Sequence, residues 1–155
     1  MPGYRTHLVG GLAAFSIITA ICHTTFLPIQ NNVLVFIAGF CLALLGSIFP
    51  DIDTVSVMQR LFYSTMAVAL LALLISCHTQ LFVLAGTLCI AIALLRHRTI
   101  THHALFLILM PFAIMLYCST FDNSNQQAMF IFYLFFVGGA LSHLLLDFYL
   151  PKRFH

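Results

Sequence analysis

LFYSTMAVALLALLISCHTQLFVLAGTLCIAIALL, running from Leu61 to Leu95, is the stretch on which the fold turns. It holds no Asp, Glu, Lys or Arg, and it far exceeds the roughly 20 residues that one helix needs to cross a bilayer. His78-Thr79-Gln80 is the triplet able to turn it. The reading is two antiparallel helices, Leu61 to Cys77 and Leu81 to Leu95, joined by a tight hairpin.

Working outward, four more apolar runs follow the same pattern: Leu8 to Cys22, Val33 to Phe49, Ala104 to Cys118 and Ala128 to Leu146. Several of the six hold only 15 to 17 residues, so their ends are expected to draw on flanking Thr, His and Gln. None shows strand-like alternation, and in lipid only helices or closed barrels satisfy the backbone. The composition agrees: 62% hydrophobic, 6% charged and a mean hydropathy of +1.07 across 155 residues, more apolar surface than a soluble chain this short can hide. No repeat and no Pro-, Gly- or Ser-rich linker divides the sequence. The expected fold class is all-α, a polytopic membrane bundle of six transmembrane helices forming a single integral membrane domain over residues 1–155.

Six spans put both termini, Pro50 to Arg60 and Arg96 to His103 on one side. All six basic residues, Arg5, Arg60, Arg96, Arg98, Lys152 and Arg153, fall there, so the positive-inside rule makes that side the cytoplasm. A single span from Leu61 to Leu95 would split these charges across the membrane. Arg5 precedes the first apolar run with no small-residue cleavage site after it, so that run is expected to be retained. Asp122 to Gln127 reads as a solvated outer loop. A net charge of +2 is too small for nucleic acid to be a partner. Five cysteines without CxxC spacing read as small core hydrophobes and argue against a disulfide framework or a thiolate metal site.

The remaining polar residues gather at the same face. Asp51, Asp53 and Asp147 lie at the inner ends of spans, as do His7, His97, His102, His103 and His143; His23 and His78 lie outside. In Pro50-Asp51-Ile52-Asp53 the proline halts the second helix and leaves two carboxylates that chelate a cation or cap the next segment. His143 and Asp147 are four apart, so both project from one helical face; the pair is a metal-ligand set or a helix cap, and ionisable groups beside hydrocarbon favour the former. Arg96 to His103 brings two guanidiniums and three imidazoles into eight residues. A lipid-headgroup anchor explains its arginines, whereas imidazole ligands beside a phosphate-binding Arg explain the whole segment. His7 by itself reads as a surface histidine. Gly10-Gly11 and Gly138-Gly139 read as contacts where helices approach closely.

Four motifs stand in order: Thr6-His7 with Gly11, Pro50-Asp51-Ile52-Asp53, His97-Arg98 with Thr101-His102, and Gly139 with His143 and Asp147. In this the chain resembles the YdjM-like family of inner-membrane proteins taken for metal-dependent hydrolases, over nearly its whole length. The resemblance implies a site of His7, Asp51, Asp53, His97, Arg98, His102, His143 and Asp147 in a bacterial inner membrane, with hydrolysis by analogy to zinc phospholipase C-type enzymes. Where that pattern has a serine after the Thr-His pair, this chain has His103, which leaves open whether His102 or His103 points inward.

Mixed imidazole and carboxylate ligands favour zinc, with manganese or magnesium behind it, and their number allows one ion or two. The expected metal ligands are His7, Asp51, Asp53, His102, His143 and Asp147. Asp53 or His97 would handle a proton and Arg98 would hold a phosphate. The expected partners are membrane lipid and a phospholipid or lipid-linked phosphoester substrate at the cytoplasmic interface. Two rival readings are a small transporter or ion pathway, which calls for ionisable groups through mid-bilayer, and a non-catalytic partner protein with a structural metal.

Overall fold

The computed structural model describes residues 4–24, 33–52, 57–94, 102–120 and 126–149. Among these the chain is all-helical, with six α-helices: α1 (Tyr4–Thr24), α2 (Val33–Ile48), α3 (Val57–Ile75), α4 (Thr79–Leu94), α5 (Ala104–Ser119) and α6 (Gln126–Tyr149), plus a 3-10 turn, Phe49–Asp51, directly after α2. Each expected apolar run is one helix, and the ends do extend into polar flanks. α1 takes in Arg5 to His7, and α6 takes in Gln126, Gln127 and Asp147. The helices α1, α2 with its 3-10 turn, and α6 are long and apolar enough to cross a membrane; the stretch Gln59–Ile75 of α3 and helices α4 and α5 are shorter. At 16 residues each, α4 and α5 rise about 24 Å. Large apolar side chains on the outside of these helices, including Val9, Ile17, Leu34, Val68, Val83 and Leu105, are exposed, the surface that hydrocarbon would cover.

The chain forms two compact units, Met1–Pro50 with His102–His155, and Asp51–Thr101. In the second unit α3 packs on α4 as a hairpin, and its turn falls slightly before the expected triplet. Cys77 takes a left-handed φ of 56°. The Cys77 N–H donates to Leu74 O at 3.2 Å and the His78 N–H to Leu73 O at 3.0 Å. These are the two bonds of a Schellman closure, so Ser76 to His78 make the turn. Thr79 and Gln80 already belong to α4.

In the first unit α6 packs against α1, α2 and α5, and α1 packs against α2. The buried stripe of α6 repeats every four residues, Ile131, Phe135, Gly139 and His143, and Asp147 continues it. His7, Gly11 and Phe15 on α1 and Gly39, Ala43 and Ser47 on α2 have the same spacing and are buried. Three layers result. The apolar layer stacks Phe15 on Phe135, ring centroids 5.1 Å apart, with Gly39 making room for the Phe135 ring. The middle layer is built of small residues. A Cβ on Gly139 would collide with the Ala43 carbonyl, one on Gly46 with the Phe136 carbonyl, and one on Gly11 would lie 2.6 Å from Ser47 Oγ. Such small residues let backbones touch where lipid gives no hydrophobic drive for association. The last layer holds His7, Ser47 and His143, the buried polar residues among those described.

Candidate metal centre

Close approach in the small-residue layer carries polar groups from three helices to one point. His7 sits in the first turn of α1, His143 and Asp147 in the last two turns of α6, and Ser47 in the last turn of α2. His7 is 1% exposed and His143 0%, while the Asp147 side chain keeps 19%. The surface reading of His7 is therefore corrected. Gly11, one turn on, lets α1 close on Ser47 and Ala43, and that contact takes the imidazole inside.

The two imidazoles stack, with centroids 3.8 Å apart and planes 17° from parallel. His7 Nε2 stands 3.6 Å from Asp147 Oδ1 and His143 Nε2 stands 3.4 Å from Asp147 Oδ2, so each ring addresses its own carboxylate oxygen. One ligand atom from each of the three residues fits within 4.8 Å of the others. On the far side of His143, Nδ1 donates to the Ser47 main-chain carbonyl at 2.7 Å.

These distances can be set beside the two readings of a His and Asp four apart. A direct N–H···O bond is best at about 2.9 Å, shorter than either contact here. Two ligands held about 2.0–2.1 Å from a tetrahedral zinc are about 3.3–3.4 Å apart, close to both. The donor set, imidazole nitrogens and a carboxylate, suits zinc or another borderline divalent ion. Its electrostatic surroundings also call for a cation. Asp147 lies at the negative end of the α6 dipole, and the last turn of α6 has no basic residue. The residues present thus fit a metal.

His102 and His103 separate clearly. His102 is half-buried and sets its ring edge-on to His143, centroids 5.9 Å apart. His103 is exposed and takes the N-cap position of α5 without a side-chain cap bond. His102 is the one that faces the centre. Asp51 ends the 3-10 turn after α2, half-buried, and opens the second compact unit. Asp53, His97 and Arg98 lie outside the described residues.

The Ser47 carbonyl is the component that sequence reasoning missed. A main-chain acceptor has no side-chain signature; the available signal was Pro50, which ends α2 three residues later.

The sequence model of the family described as YdjM inner membrane protein matches residues 1–152 of this chain. No curated protein and no solved structure matches it.

Proposed function

The chain belongs to the YdjM inner membrane protein family, and on that premise we propose that it is a membrane-embedded, metal-dependent hydrolase acting on the phosphoester of a phospholipid or lipid-linked phosphate. The observation that carries this reading is the buried cluster of His7, His143 and Asp147, two imidazoles bracketing one carboxylate at ligand spacing. Such a cluster is expensive beside hydrocarbon and marks function. In this reading α3, α4 and α5 cross the membrane as well, and the cluster faces the cytoplasm, on the side of the basic residues.

His7, His143 and Asp147 would hold the ion, with His102 the next ligand. When bound, a divalent ion supplies Lewis acidity toward a phosphoryl oxygen and acidifies water. The chain has four acidic residues, all Asp, so proton transfer falls to Asp53 or His97. Arg98 has the fork geometry to hold a phosphate. Mid-helix positions of the first unit's buried stripes are apolar or small, which disfavours an ion pathway.

The test is headgroup or phosphate release from phospholipid vesicles carrying the purified protein. Turnover is expected to stop with EDTA and return with zinc, and Arg98→Ala is expected to lower it about 100-fold. A zinc-loaded protein that turns over no lipid phosphoester would instead support a structural metal.

A further inference from the structure

His143 can face Asp147 in two chemically opposite ways. With the proton on Nε2 it donates to the carboxylate, and the pair is a self-sufficient helix cap. With the proton on Nδ1 it offers Asp147 a lone pair, and two acceptors then face each other across 3.4 Å. The second arrangement turns both lone pairs toward a place that a cation would fill. The group that chooses between them is on α2. The Ser47 carbonyl has no proton to give, so a 2.7 Å contact to His143 Nδ1 requires Nδ1–H. Both residues are 0% exposed, so water does not compete for either partner.

That carbonyl is available because of where α2 stops. The last four carbonyls of a helix lack intrahelical donors. Pro50 has no N–H and its ring clashes with the carbonyl four residues back, so α2 ends at Ile48 and Ser47 falls within the open set. Gly46 and Gly139 then seat α2 against α6 backbone to backbone, which brings the open carbonyl within reach of His143.

We propose that Pro50 and the Ser47 main-chain carbonyl are the positioning elements that make His143 a metal ligand, by fixing its Nδ1–H tautomer and aiming Nε2 at the cation between it and Asp147. This rests on the metal reading above but not on hydrolysis. Ligating histidines commonly donate their second nitrogen in this way, and losing that partner typically costs 10–100-fold in metal affinity. Pro50→Ala allows α2 to continue and the Asp51 N–H to compete for the Ser47 carbonyl.

The experiment is nitrogen NMR on the full chain, labelled with [15N]histidine, in lipid nanodiscs with EDTA, the His143 signals being those absent from His143→Asn. In the metal-free wild type, His143 is expected to show a protonated Nδ1 and an unprotonated Nε2. Pro50→Ala is expected to raise the share of the Nε2–H form and to weaken zinc binding 10–100-fold. A wild-type His143 in the Nε2–H form or as imidazolium overturns the proposal without recourse to any variant, as does a folded Pro50→Ala with unchanged tautomer and zinc affinity. If the tautomer is as expected and zinc binds but no lipid phosphoester is turned over, the hydrolase reading fails and this one stands.

Discussion

Zinc at a hundredfold excess over its dissociation constant is expected to stabilise the wild-type protein by about 2.7 kcal/mol, and His143→Ala is expected to erase that gain. The size of the effect follows from where the ligands sit. His7 is on α1 while His143 and Asp147 are on α6, so the three converge only when both helices are packed, and an unfolded chain offers no comparable site. His143→Ala also removes a fully buried ring and leaves a cavity, which lowers stability whether or not zinc is present. The informative quantity is the shift in unfolding midpoint between zinc and EDTA, measured within each protein. A shift in the wild type that vanishes in His143→Ala and Asp147→Ala assigns the ion to this cluster. An equal zinc shift in all three would place the binding elsewhere.

Gly139→Leu is expected to be the most damaging single substitution in the bundle. Its Cβ would collide with the Ala43 carbonyl and crowd Ser47 N at 3.0 Å, and backbone cannot swing aside as a side chain can. Overpacking commonly costs 1–3 kcal/mol, and a leucine driven onto a neighbouring helix backbone is expected at or above about 3 kcal/mol. The damage reaches the His7, His143 and Asp147 cluster, because forcing α6 from α2 separates His143 from the Ser47 carbonyl. Both stability and zinc binding are therefore expected to fall together. Gly86→Leu is the control: the nearest atom to a Cβ there is Leu70 Cδ2 at 3.9 Å, and replacing a helical glycine relieves its entropic cost. Near-wild-type unfolding of Gly139→Leu would show that α2 and α6 are not in backbone contact.

Much of this was legible in the residues because bilayer physics is restrictive. In lipid, apolar runs without strand-like alternation can only be helices, so all six appear with small errors at their ends. Leu61 to Leu95 divides where polar groups interrupt it. There the error has a cause: the turn is closed by main-chain bonds from Cys77 and His78, and a left-handed cysteine carries no marker that glycine would have given. The spacing of His143 and Asp147 announced a shared helix face, and the distances fit the ligand reading of it. His7 was less legible, since a lone histidine near a helix start looks exposed; its burial follows from Gly11 packing on α2, a contact between residues 36 positions apart. Gly46 was illegible for the same reason. Glycine pairs attract notice, whereas a single glycine becomes a contact point only when a partner helix is in place.

Metal content by elemental analysis of detergent-purified protein, comparing wild type with His7→Ala and His143→Ala, bears on the whole assembly at once. About one divalent ion per chain or more is expected in the wild type, with loss in both variants, because the proposed ion would be held by residues of both α1 and α6. A wild type that holds no metal after reconstitution with zinc or manganese, or variants that keep the full complement, would contradict it.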